Sequence, residues 1–192
     1  MAVAALPAAC GGDGGTGVAV RRLQDAALLA ESNPARCPLD LGFPKALGGD
    51  VQPRSATASA AGTSVGKAKA GSPLLAVGGA SYRCDYQVGG KPVTLVVVAV
   101  PEGQQTAAAV GALATPLQDA GLDTGVAQGL VDAAKGAKPG QAVAAPSGSA
   151  SAATANLPGG GAASVAVVAT QGGFSSGDLT KAANKLAATL QG

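Results

Sequence analysis

The sequence predicts an α+β domain, with an antiparallel sheet and helices packed on one face of it. The first observation is a pair of strand-like segments joined at Gly89–Gly90, of which the second is apolar almost throughout. The second is a repeat, because a shift of 70 residues places Gly89–Gly90 on Gly159–Gly160 and Leu95 on Val165. A helical pattern follows the apolar strand in both copies. We therefore expect a hairpin–helix unit that occurs twice.

The composition favours one modest domain, which we place at residues 18–192. Of the 192 residues 47% are hydrophobic, but about half of these are alanine and none is isoleucine. Charged residues make up 12%, about half of the usual share. The expected core is therefore thin.

The first part of this domain is predicted to be helical. Residues 18–32 have the period of a helix, and a second short helical piece is expected near Pro38. The residues predicted to lie on one apolar side of the first helix are Leu23, Ala26, Ala27 and Ala30, and the apolar residues of the second piece are Leu39, Leu41 and Leu47. Residues 48–73 are small and polar with few large apolar groups, which predicts a mobile surface loop.

The two predicted strands that follow differ in pattern. Residues 81–88 alternate, with Tyr82, Cys84, Tyr86 and Val88 on the predicted core face. Residues 93–100 are apolar on both faces, which indicates a central strand. Arg83, Asp85 and Gln87 form the predicted solvent face of the first strand.

Helices are predicted after this hairpin and at the end of the chain. A helix from about Gln104 is expected to end or kink at Pro116, because proline lacks an amide hydrogen. Another is expected over 124–137, followed by a short strand over 141–146. The last helix is predicted to begin at Ser175 with Asp178 three residues later, a capping pair.

Several function classes are excluded by the residue types. The chain has no histidine, the commonest general base and zinc ligand, which removes nucleophile schemes that depend on histidine. Thirteen Lys and Arg residues are spread along the chain and aromatic residues make up 2%, so no nucleic-acid partner is expected. No run of 18 apolar residues is present, so no segment is expected to span a membrane. Asp119 and Asp123 are the one close carboxylate pair in a plausible loop, but the other ligands of a calcium loop are missing, so we expect neither a metal nor a cofactor.

The beginning of the chain resembles a bacterial lipoprotein signal. Ala8–Ala9 precede Cys10, and Gly11–Gly15 follow as a flexible spacer. The resemblance implies cleavage before Cys10 and a diacylglycerol group on its thiol, with residues 1–17 comprising a truncated signal-peptide remnant, the lipidated cysteine and a tether. Two acyl chains are enough for stable membrane attachment. The alternative is an alanine-rich terminus without a lipid.

The two remaining cysteines form an even pair once Cys10 is set aside. A Cys37–Cys84 disulfide would connect the N-terminal helical part to the sheet. The alternative is two free buried thiols in a cytosolic protein.

A second resemblance covers residues 34–100. Asn33–Leu41 with Cys37, followed by Tyr82–Tyr86 with Cys84 ahead of an apolar strand, is similar to the layout of actinobacterial lipoprotein domains of unknown function. Those domains pair an early cysteine with a later one in a strand, and they are similar in outline to the extracellular sensor domains of mycobacterial Ser/Thr kinases.

We therefore expect a non-catalytic, lipid-anchored extracytoplasmic domain of the cell envelope, with no catalytic residues assigned. Its partners would be the membrane, through Cys10, and an envelope protein or small ligand. One alternative is a carrier of lipid or another apolar ligand. The other is a hydrolase that uses carboxylates instead of histidine, which requires two carboxylates in one cleft.

Overall fold

The structure is a computed structural model that describes residues 18–37, 39, 41–60, 72–103, 106–169 and 172–192. Within these ranges the chain forms six strands and six helices. The strands are β1 (Val51–Ala60), β2 (Ala80–Val88), β3 (Lys91–Pro101), β4 (Val143–Ala144), β5 (Ala150–Asn156) and β6 (Gly161–Val168). The helices are α1 (Val20–Ser32), α2 (Phe43–Ala46), α3 (Pro73–Ala76), α4 (Thr106–Asp119), α5 (Thr124–Gly136) and α6 (Ser176–Gln191).

All six strands belong to one antiparallel sheet, in the order β1-β2-β3-β6-β5-β4. Each half is three consecutive strands, and the halves join where β3 pairs with β6. In this pairing Leu95 lies opposite Val167 and Val97 lies opposite Val165. A shift of 70 residues moves Leu95 to Val165 and Val97 to Val167, so it exchanges these two pairs. The predicted repeat is therefore present in the central strands. The predicted α+β class with an antiparallel sheet is confirmed.

Helices cover both faces of the sheet, and the prediction of one covered face is wrong. On the first face, α1 packs over β1 and β2, and α6 packs over β5 and β6. On the second face, α4 packs over β3 and β6, and α5 packs over β5. Residues 93–100 of β3 are all buried, because apolar side chains on both sides of a strand need cover on both sides.

The helices of the two repeated units lie on opposite faces of the sheet, so the repeat of the strands does not extend to the helices. The helices after β3 pack on the second face, whereas the helix after β6 packs on the first. The two copies together therefore bury both sides of the central strands.

Strand β1 corrects the prediction of a surface loop over residues 48–73. Residues 51–60 pair with β2 along their whole length, with one bulge between Pro53 and Ser55. Ala56 and Ala60 are buried beneath α1, where only small side chains allow the helix to approach the strand closely. The composition suggested a loop because it lacks large apolar groups, but backbone pairing and the cover provided by α1 stabilise a strand. Residues 61–71 lie outside the described ranges.

Two helix predictions also need correction. Of the two outcomes expected at Pro116, an end to the helix is wrong: α4 continues to Asp119, because the buried Leu113 and Leu117 hold this turn against the sheet. The short helix expected near Pro38 is a single turn at α2, after Gly42 with a φ of 68°. Pro38 itself lies outside the described residues.

The other elements confirm the sequence analysis closely. The residues on the predicted apolar side of α1 are buried, and Tyr82, Cys84, Tyr86 and Val88 alternate with half-buried residues in β2. Helix α6 begins with the predicted capping box, in which Ser175 and Asp178 each accept from the other's backbone amide. The helix predicted over 124–137 and the strand predicted over 141–146 are present as α5 and β4.

Candidate functional site

A polar groove lies on the second face of the sheet, beside the helices that cover it. Helices α4 and α5 pack mainly over β3, β6 and β5, so the second face of β1 and β2 is less covered. This surface carries hydroxyl and charged side chains in register. The opposed pairs are Ser55 with Asp85, Thr57 with Arg83, and Ser59 with Ser81.

The end of helix α4 forms one wall of the groove. The cavity between the wall and the strands measures about 210 Å³. Its lining residues are Thr57, Ala58, Ser59, Ser81, Tyr82, Arg83, Val96, Pro116 and Asp119. We call this set, together with Asp85, the polar groove.

Asp85 forms hydrogen bonds that link the strands at the floor of the groove. Its carboxylate accepts hydrogen bonds from the Ser55 hydroxyl at 2.8 Å, from the Thr94 hydroxyl at 2.7 Å and from Arg83 Nε at 3.2 Å. These donors come from all three strands of this half of the sheet. Asp85 therefore positions Arg83 and joins β1 to β3 across β2.

Arg83 is the one cationic residue of the polar groove, beside the carboxylates of Asp85 and Asp119. Besides the bond to Asp85, its Nη1 lies 4.0 Å from the Asp119 carboxylate, which is too long for a hydrogen bond. The Arg83 side chain is 27% exposed, and the structure gives it no other partner among the residues it describes. A guanidinium group has five N–H donors, so several remain for an acceptor in the groove.

The predicted carboxylate pair of Asp119 and Asp123 does not form one site. Asp119 faces Arg83, whereas Asp123 caps α5 by accepting from the Val126 amide at 2.9 Å. Across the described ranges, no group of three or more His, Cys, Asp and Glu residues is placed to hold a metal ion.

Cys37 and Cys84 are joined by a disulfide, as the cysteine count predicted. Their Cα atoms are 5.8 Å apart and their positions in the chain differ by 47 residues. Cys84 is fully buried in β2, and Cys37 lies in the irregular segment between α1 and α2. Cys10 lies outside the described residues. In the part of the chain that the structure describes, no helix combines the length and the apolar character needed to cross a bilayer.

A second cavity, more apolar in character, lies beside this disulfide on the first face. It measures about 220 Å³. Its lining residues are Cys37, Leu39, Pro44, Lys45, Val51, Pro53 and Tyr86. We call it the disulfide cavity. A third cavity of about 360 Å³ is lined by residues at the ends of β3 and β5 and in the loops that follow them, including Glu102 and Leu157.

Sequence reasoning missed the polar groove because it assigned β1 to a loop and Arg83 and Asp85 to an ordinary solvent face. A signal was present, since residues 55–60 alternate strictly between a hydroxyl residue and alanine. This is the period of a strand with a polar face and a small apolar face. No pattern in the sequence indicates that α4 lies beside this polar face of β1.

Comparison of the chain with protein-family models, with curated proteins and with solved structures finds no match in any of the three.

Proposed function

We propose that the protein is a non-catalytic, lipid-anchored domain on the outer side of a bacterial membrane, and that it binds a polar ligand or an envelope protein in the polar groove. The observation that carries this proposal is the combination of Arg83, whose Nη groups donate no hydrogen bond to a described residue, and a row of hydroxyl groups in a concave surface. Such a surface suits a ligand with acceptor oxygens, above all a carboxylate.

The cysteines support the cellular location. Disulfides form and persist in oxidising compartments, and Cys37 is paired with Cys84. Cys10, preceded by two alanines and followed by a glycine-rich segment, supplies the proposed site of the lipid. The alanine content and the lack of isoleucine are consistent with a GC-rich genome, such as those of actinobacteria.

The bonding of the groove favours binding over catalysis. Asp85 accepts three hydrogen bonds within the sheet, so its oxygen atoms serve the fold. The carboxylate hydrolase would use Asp85 and Asp119, which share Arg83 as a neighbour. A glycosidase needs two carboxyl groups that are both free to act on the substrate, one as the acid and the other as the base or nucleophile.

The lipid or apolar-ligand carrier is the second candidate, and the disulfide cavity is the observation that favours it. Most of its lining side chains are apolar. Its volume of about 220 Å³ is below the range of about 300–1,000 Å³ that is typical of small-molecule sites. The polar groove is no larger, so the volume alone does not rank the two sites. We rank the carrier second because an apolar ligand must be enclosed to bury its surface, whereas a polar ligand can be held at an open surface by Arg83 and the hydroxyl groups.

The groove is tested by binding of a small polycarboxylate. Citrate is titrated into the Cys10→Ser chain and followed by thermal unfolding, because a ligand that binds only the native state raises the melting temperature. We expect a rise in the parent chain that is lost in Arg83→Gln. The matched control is Arg22→Gln, which removes an exposed arginine from α1 on the other face and should keep the full rise. An equal rise in Arg83→Gln, or none in the parent chain, contradicts carboxylate binding in the groove.

The anchor is tested separately. The gene is extended upstream and expressed in a bacterial host, and the mass of the membrane-extracted protein is measured. We expect a chain that begins at an acylated Cys10, and Cys10→Ala should move the protein out of the membrane fraction. An unprocessed chain would remove the lipid anchor from the proposal and leave the groove untouched.

A further inference from the structure

The two sulfur atoms of the disulfide have different surroundings. Cys37 is half-buried and lines the disulfide cavity, whereas Cys84 is completely buried in β2 and does not line that cavity. A nucleophile that enters the cavity therefore meets the Cys37 side of the bond first.

Tyr82 lies beside the buried sulfur atom. Its hydroxyl oxygen is 2.9 Å from Cys84 Sγ and accepts a hydrogen bond from the Leu39 amide at 3.3 Å. Because a disulfide sulfur has no hydrogen to donate, the hydroxyl of Tyr82 is the donor in this contact. Burial raises the pKa of Tyr82 to about 12, so the hydroxyl keeps this hydrogen at neutral pH.

We propose that the Cys37–Cys84 disulfide is a site of directed thiol–disulfide exchange, at which a low-molecular-weight thiol forms a mixed disulfide with Cys37 and leaves Cys84 as the free thiol. The thiolate attacks Cys37 Sγ and a new sulfur–sulfur bond forms. The Cys37–Cys84 bond breaks, and its electron pair goes to Cys84 Sγ, which is stabilised by the Tyr82 hydroxyl and then takes a proton from water. No other oxidant or reductant is needed, because the thiol is the only co-reactant.

The size and the chemistry of the cavity agree with a small thiol. Its volume of about 220 Å³ accommodates a cysteine-like side chain, and its walls include Leu39, Val51 and Tyr86. Attack on the other sulfur would require Cys84 to leave the core beneath α1, where it is 0% exposed.

The test uses the full chain with Cys10→Ser, so that Cys37 and Cys84 are the only cysteines. The oxidised protein is exposed briefly to reduced glutathione, quenched in acid and alkylated with N-ethylmaleimide, and tryptic peptides are analysed by mass spectrometry. Arg36 and Arg83 precede the two cysteines, so each cysteine begins its own tryptic peptide. We expect at least about tenfold more glutathione on Cys37 than on Cys84. Equal labelling, or labelling mainly at Cys84, overturns the proposal.

A second measurement separates attack on the folded protein from attack after unfolding. The exchange rate is followed at low urea concentrations, where direct attack gives a nearly flat dependence and attack through the unfolded state gives the slope of global unfolding. A slope equal to the unfolding slope overturns the proposal even if Cys37 carries the adduct.

The role of Tyr82 is tested with Tyr82→Phe, which keeps the ring and removes the hydroxyl. We expect exchange to slow by about 3- to 10-fold, the net effect of losing one ordinary hydrogen bond, because the leaving sulfur is only partly charged in the transition state. An unchanged rate excludes the assistance of Tyr82. If this variant does not fold, the labelling ratio and the urea dependence of the parent chain still decide the proposal.

Discussion

Removal of the Cys37–Cys84 disulfide should lower the free energy of unfolding by about 4 kcal/mol. The two cysteines are separated by 47 residues, and closing a loop of that length removes about 13.6 cal/mol/K of entropy from the unfolded chain in the chain-entropy model. At 25 °C this is about 4 kcal/mol, a large part of the roughly 5–15 kcal/mol that stabilises a typical domain. A core with so much alanine makes the disulfide especially important here.

The assay is urea unfolding of the double variant Cys37→Ala/Cys84→Ala, followed by far-UV circular dichroism. With an unfolding slope of about 2 kcal/mol/M, the midpoint should fall by about 2 M urea relative to the parent chain. Cys10→Ser serves as the control and should leave the midpoint in place. A fall of less than about 0.5 M, which is about 1 kcal/mol, would refute the reasoning that loop closure dominates.

Three further predictions concern capping, pH dependence and close packing. Ser175→Ala should destabilise the protein by about 1 kcal/mol at neutral pH. The hydrogen bonds from Ser175 lower the pKa of Asp178, so the part of this contribution that comes from the Asp178 carboxylate is lost as the pH falls below the ordinary value of 3.8, whereas the bond from the Asp178 amide to the Ser175 hydroxyl remains. The difference in urea midpoint between the variant and the parent should therefore shrink there. The raised pKa of Tyr82 means that the parent loses stability as the pH rises from 10.0 to about 12, and Tyr82→Phe should lack this part of the alkaline loss. In Gly79→Ala the new methyl would lie 2.8 Å from two backbone oxygen atoms, so we expect a loss of about 1–3 kcal/mol, whereas Gly129→Ala on open helix surface should stabilise by about 0.5–1 kcal/mol in the same urea assay.

The polar groove depends on a network of hydrogen bonds between different strands, which patterns within one segment of the sequence do not reveal. The residues that build it come from β1, β2, β3 and α4, and the hydrogen bonds of Asp85 join three of these elements. Alternation along β2 placed Arg83 and Asp85 on one face, which is correct. What made this face a groove is the position of Asp119 and Pro116 at the end of α4.

Local patterns in the sequence determined the elements whose stability is local or strongly amphipathic. The periods of α1 and α6, the capping box at Ser175, the alternation of β2 and the even cysteine pair all predicted what the structure contains. Each of these signals depends on neighbours within a turn or a strand, or on a simple count.

Only the tertiary structure decided which face each helix covers, whether residues 51–60 form a strand, and whether α4 continues beyond Pro116. The apolar run of β3 already required cover on both faces, but nothing local indicated that α4 and α5 would take one face while α1 and α6 took the other. In the same way, the small residues of β1 have little strand propensity of their own, and they form a strand because β2 supplies hydrogen bonds and α1 covers their alanine face. These outcomes depend on long-range pairing and packing, whose free energies are larger than the local preferences that the sequence displays.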